Sequence, residues 1–197
     1  MNEEFEERKR VRRIRIISWG IIVIMVLSAA GYYIGSSSSG NVQRYHGTAF
    51  TSTQQGVLAT IQGTHYAFNY FPSQVEGIDT DPGVPALLQA PILLVTYDTQ
   101  SNYSESMAAV QYYLADLFER QFDTYLVPAV MNNASYHLPL VTCANATVNE
   151  PVIEFTEDNT TAILLEGSCI HITVPSQDDL FRVQDKLVFL RLGVMDR

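Results

Sequence analysis

The chain is 197 residues long with a formal net charge of −9, enough for one domain of ordinary size beside an N-terminal segment. Six of its twelve basic residues (Arg8, Lys9, Arg10, Arg12, Arg13 and Arg15) fall in the first fifteen positions, leaving six against seventeen carboxylates beyond them. That acidic remainder argues against nucleic acid and anionic lipid as its partners, and a solvated, aggregation-resistant surface accounts for it.

From Ile16 to Gly35 roughly 20 residues run without a charge, the length a helix needs to cross ~30 Å of hydrocarbon. The basic flank precedes this run and a neutral Gly-Ser-Ser-Ser-Ser-Gly stretch follows it. That asymmetry places the N-terminus in the cytoplasm and the remainder outside. The expected protein is therefore single-pass in the plasma membrane. Residues 1–15 form a cytoplasmic basic tail, 16–35 a transmembrane helix in the lipid bilayer, 36–44 a Ser/Gly tether and 45–197 one extracytoplasmic α+β domain. Ser28-Ala29-Ala30 would instead suit the cleavage site of a secretory signal. The apolar run continues past that point through Tyr32, Tyr33 and Ile34, with Trp19 at its inner end, and such aromatic belts favour an uncleaved anchor. A pilin-like leader is a third reading, but the glutamate such helices carry near their start is missing.

Beyond the tether, Tyr45 to Phe71 has the pattern of a three-stranded meander. Tyr45, Ala49 and Phe50 begin the first strand, Val57, Ala59 and Ile61 alternate along the second, and Tyr66, Phe68 and Tyr70 give the third an aromatic face. Core packing explains that face better than a platform for sugars or bases. Pro72 to Pro91, with a turn at Asp81-Pro82-Gly83, reads as a long loop, either a binding loop or a wrapped connection. Its Glu76, Asp79 and Asp81 could hold calcium, though the usual glycine-and-glutamate frame is absent. Ile92 to Tyr97 is a continuous apolar strand suited to a central position. It feeds a helix from Ser104, a credible N-cap, to about Tyr125, ended by Val127-Pro128.

Asn132 to Glu150 is polar and irregular. Val152–Phe155, Ala162–Leu165 and Cys169–Val174 then read as short strands. The final helix has Ser176 as its cap with Asp179 in the capping-box position, and a stripe of Leu180, Val183, Leu187 and Leu190. Phe181, Val188 and Phe189 widen the stripe, and Gly193 followed by Val194 marks a left-handed stop. The expected architecture is one mainly antiparallel sheet with two helices on one face.

Cys143 and Cys169 both lie beyond the apolar segment and read as a disulfide in an oxidising compartment, with two free thiols the alternative. No further ligands stand at local spacing for zinc, so no metal site is expected. Sequons at Asn102, Asn133, Asn145 and Asn159 outnumber the roughly one expected by chance and read as glycosylation sites. Asp98 to Asn102 follow the Ile92 strand at a carboxyl end of the sheet, where ligands often bind. Asp98, Asn102, Asp79 and Asp81 are accordingly the candidate ligand-binding residues. No phosphate-loop glycines, nucleophile elbow or zinc-protease motif is present, and His46, His65, His137 and His171 are scattered. The sequence therefore offers no catalytic residue and no cofactor.

Three groups of residues resemble a set of small, uncharacterised single-pass proteins of nano-sized archaea. They are Tyr66-Ala67-Phe68-Asn69-Tyr70-Phe71-Pro72-Ser73-Gln74-Val75-Glu76, Thr142-Cys143-Ala144-Asn145-Ala146-Thr147 with Pro151-Val152-Ile153, and Cys169-Ile170 with Asp185-Lys186-Leu187 and Leu192-Gly193-Val194. The resemblance implies an archaeal envelope protein with a cysteine pair and assigns no activity. The expected function is a membrane-anchored, glycosylated interaction module acting on an envelope protein partner. The alternative is a ligand-sensing or hydrolytic ectodomain built on the 72–91 loop and the 98–102 turn. A deep pocket beside Asp98 lined by convergent polar groups favours the alternative, and a flat apolar patch favours the interaction module.

Overall fold

The computed structural model describes residues 23–25, 41–132 and 137–195. The chain divides into two units, Met1–Gly40 and Asn41–Arg197. Of the first, only residues 23–25 are described, and they are helical. The rest of the expected span at 16–35 lies outside the described residues, as do the basic tail and most of the tether. Among the described residues no helix is long and apolar enough to cross a membrane.

The second unit is α+β and contains two sheets. Strands β1 (Val42–Tyr45), β2 (Thr48–Thr53), β3 (Gly56–Ile61) and β4 (Thr64–Phe68) form an antiparallel meander in chain order. The expected first strand is thus two, and the expected tether gives way to β1 at Val42. His46 and Gly47, both at positive φ, make a two-residue hairpin turn that a histidine in the first turn position disguised in the sequence. Period-two alternation holds throughout. Phe50, Val57, Ala59, Ile61, Tyr66 and Phe68 are buried, while Ala49, Leu58, Thr60, His65 and Ala67 face out.

The second sheet has six strands in the order β5-β9-β10-β8-β6-β7. These are β5 (Asp79–Thr80), β6 (Ile92–Tyr97), β7 (Tyr125–Pro128), β8 (Val152–Glu157), β9 (Ala162–Glu166) and β10 (Cys169–Val174). Only the β9–β10 pairing is antiparallel, which corrects the expectation of a single, mainly antiparallel sheet. The reason is connectivity. Strand β6 leads through α3 (Ser104–Phe122) into β7 as a parallel β-α-β unit. The four residues of β7 were hidden in the sequence because Tyr125 and Leu126 extend the apolar pattern of the helix before them. The helix stops at Phe122, with Asp123 in the left-handed conformation, and its N-cap is Tyr103 rather than Ser104.

The long 72–91 connection is the wrapped kind. It holds two single-turn helices, α1 (Pro72–Val75) and α2 (Val84–Leu87), and the edge strand β5. The last helix, α4 (Gln177–Arg191), has the expected start and stop. Ser176 Oγ accepts from Asp179 N at 3.1 Å, and past Gly193 (φ +67) Val194 N donates to Phe189 O at 3.0 Å.

Helix α4 lies between the two sheets, and Val183 to Leu190 are buried all round. Together with α3 it packs on the side of the large sheet that bears Leu93, Val95, Tyr97, Ile153, Phe155, Ile170, Ile172 and Val174. Its other side meets the meander, where the Phe189 ring lies 4.3 Å from that of Phe68 and 5.8 Å, edge-on, from that of Phe50. Of the three residues that widened the helix stripe in the sequence, Phe189 makes this second contact, while Val188 is buried and Phe181 half-buried in the same core. The opposite face of the large sheet has a smaller core of Ala129, Val141, Val152 and Cys169, covered by the segment around Cys143.

Candidate functional site

Three places on the second unit carry distinctive chemistry. At the carboxyl ends of β6, β8 and β10 the connecting turns enclose a polar hollow of about 470 Å³, lined in part by Asp98, Gln100, Ser101, Glu157 and Asp158. Asp98 Oδ1 accepts from Gln100 N and Asn132 Nδ2, both at 2.8 Å. Glu157 accepts from Ser101 Oγ at 2.8 Å and from Asn102 N and Nδ2 at 2.9 Å. Those bonds, from the Asn102 amide first and then Ser101, hold the Glu157 carboxyl below the usual carboxylate range. The turn after β6 is thereby stitched to the carboxyl end of β8. Its carboxylates are engaged by the protein's own donors, so the convergence of polar groups here is a tied connection.

The other two ligand candidates do not join them. Asp79 is in β5, and Asp81 Oδ2 accepts from Leu165 N at 2.6 Å, fastening the connection to β9. Four strand spacings separate β5 from β6, on the order of 19 Å. Nor do Glu76, Asp79 and Asp81 come together as a metal-holding group. The aromatic row of β4 is core: Tyr66 and Phe68 are buried against Phe122 and Phe189.

The covered face of the large sheet is the second place. Cys143 and Cys169 form the expected disulfide, across a separation of 26 residues. Beside it Glu154, on β8, lies directly opposite His171 on β10. Glu154 Oε2 accepts the Cys143 N–H at 2.8 Å, and Oε1 is 3.1 Å from His171 Nδ1. Thr156 Oγ1 is 3.4 Å from the other imidazole nitrogen. Ligand atoms of Cys143, Glu154 and His171 all lie within 4.8 Å of one another. Sequence spacing missed this cluster because β8 and β10 are neighbours only through their parallel pairing. The alternation Cys169-x-His171 on a strand was the signal available.

The third place is the outward face of the meander. Its cross-strand rows run Val42, Thr51, Leu58, Ala67 and Arg44, Ala49, with Thr60 opposite His65. Small side chains between the taller ones leave a shallow trough of about 610 Å³ lined by Ala49, Thr51, Leu58, Thr60, His65 and Ala67 among others. Val42 and Leu58 are 57% and 46% exposed. From Asn41 to Val75 the chain has no acidic residue and a single formal charge, Arg44, whereas Glu76 to Arg197 contains all seventeen carboxylates beyond the N-terminal tail against five basic residues. Acidity is thus confined to one part of the fold.

The sequon asparagines at 102, 145 and 159 are exposed, although Asn102 also ties Glu157. Asn133 lies outside the described residues. Compared with known proteins, the chain matches no family model, no curated protein and no solved structure.

Proposed function

We propose that the protein is a membrane-anchored, glycosylated interaction module of the cell envelope, and that it holds a protein partner on the outward face of its meander. One observation carries this reading: four strands of an otherwise acidic unit present a face with no carboxylate and with Val42 and Leu58 exposed. Interface cores are depleted of charge and rimmed by polar groups. Here Thr51 stands within the row of Val42, Leu58 and Ala67, Thr60 and His65 flank it, and Arg44 suits a carboxylate on the partner. The uncharged 16–35 segment, the basic flank and the disulfide support an anchored, extracytoplasmic placement.

The test is cross-linking and affinity purification of the tagged full-length chain from membranes, compared with Leu58→Glu and Ala67→Glu. Both side chains point outward, so the fold is retained. Partner recovery is expected to fall at least tenfold, with cross-links in the wild type mapping to residues 42–67. Undiminished recovery in both variants overturns the reading. The alternative, a ligand-sensing or hydrolytic ectodomain, draws on the polar hollow beside Asp98. Asp98→Asn and Glu157→Gln leave partner recovery unchanged under the first reading and abolish ligand response under the second.

A further inference from the structure

The parallel pairing of β8 and β10 gathers four metal-binding residues from three stretches of the chain. Glu154 and His171 are register partners, Cys169 precedes His171 by two residues, and the covering segment brings in Cys143. Cys143, Glu154 and His171 already place one ligand atom each within 4.8 Å of the others, and the Cys169 sulfur is bonded to that of Cys143. We propose that the disulfide masks a metal site: on reduction, Cys143, Cys169, His171 and Glu154 together bind a zinc-like divalent cation.

The chemistry balances with a dithiol as reductant. It delivers two electrons and two protons to the Cys143–Cys169 bond and leaves as its own disulfide. Each cysteine then gives up its proton as its sulfur takes the metal, so two protons are released per ion. His171 ligates as the neutral imidazole and Glu154 as the carboxylate. Two thiolates, one imidazole and one carboxylate form a four-ligand set suited to tetrahedral Zn²⁺. With metal–sulfur bonds of ~2.3 Å and metal–nitrogen or –oxygen bonds of ~2.0–2.2 Å, ligand atoms in a tetrahedron stand roughly 3.3–3.8 Å apart. Once the bond is broken the two sulfurs swing apart, and the spread among Cys143, Glu154 and His171 needs to contract by only about an ångström, both within reach of side-chain rotation. Cys143 and His171 are half-buried, whereas Cys169 and Glu154 are buried, so the ion enters from the side of the covering segment. The Cys143 N–H held by Glu154 fixes the carboxylate before any metal arrives.

The experiment uses the full-length chain in detergent, titrated with Co²⁺ as a spectroscopic probe and Zn²⁺ as competitor, before and after reduction. The reduced chain is expected to bind one Co²⁺ with thiolate-to-cobalt charge-transfer and tetrahedral d–d absorption. The oxidised chain shows neither. Cys143→Ser removes the charge-transfer band or halves it, and His171→Gln weakens binding at least tenfold. Where reduction alone unfolds the chain, Zn²⁺ restores its circular dichroism. Cobalt bound without thiolate absorption, affinity unchanged in His171→Gln, or a reduced chain that Zn²⁺ leaves unfolded each overturns the proposal.

Discussion

Asp185 is placed on α4 where the meander ends, and its carboxylate accepts from Asn69 N at 2.6 Å, Tyr70 N at 2.8 Å and Asn69 Nδ2 at 3.3 Å. Burial nonetheless dominates those bonds and pushes its pKa up to about 7. A carboxyl with a raised folded-state pKa favours the fold in its neutral form. Its contribution is complete below the unfolded value near 4 and is lost as pH rises through 7. Three pKa steps correspond to roughly 4 kcal/mol. Denaturant unfolding is therefore expected to give falling stability from pH 4 to 7 from this group, and a flat profile in Asp185→Asn. The amide keeps both backbone bonds at its oxygen, and a turn of the Asn69 amide satisfies its nitrogen. Glycine positions separate two further costs. Gly63 (φ +85) faces open space, so Gly63→Ala is expected to cost only backbone strain, about 1–2 kcal/mol. At Gly56 (φ +127) an added Cβ would stand 2.6 Å from Phe68 O, so Gly56→Ala is expected to lose ~1–3 kcal/mol more. Paired thermal melts read the difference.

At the scale of elements, α4 is what the two sheets share. A surface helix needs one apolar stripe, whereas this one is buried all round from Val183 to Leu190 and turns Phe189 toward the meander. Replacing Phe189 with alanine removes the ring that meets both Phe50 and Phe68, and is expected to cost about 3–5 kcal/mol in chemical unfolding. Phe181, half-buried, is expected to cost clearly less. This helix was legible in the sequence because Ser176, Gly193 and Val194 are local signals that tertiary contacts do not override. Strand β7 and the turn at His46-Gly47 were not, since four residues beside a helix, or a turn without asparagine, leave no periodic trace. The continuous apolar run of Ile92 to Tyr97 told of a covered, central strand but not of which neighbours it would pair with or in which direction. For β6 and β7 that choice belongs to the crossover through α3, and for β8 and β10 to the intervening β9, which pairs on the far side of β10.

For the whole molecule, the same logic decides what could be read of the sites. The disulfide was legible because it needs only two cysteines and a compartment, whereas Glu154 and His171 become neighbours only once β8 and β10 are adjacent. Charge segregation was present in the composition, but that the acid-free stretch contains one complete sheet emerged only with the fold. The disulfide ties the covering segment to the large sheet, alongside Thr96 Oγ1 to Val141 O at 2.8 Å and the Val130–Leu140 bridge. Closing a loop of 26 residues stabilises by about 3 kcal/mol in the chain-entropy model. The small core beneath the cover has few apolar partners of its own, so it opens before the two-sheet core does. In a Cys143→Ala/Cys169→Ala chain, hydrogen exchange at the Val141 and Cys143 amides is therefore expected to quicken more than at Ile172 or Leu187. Equal acceleration at all four would mean that cover and core unfold as one, and that the disulfide acts on the unfolded chain alone.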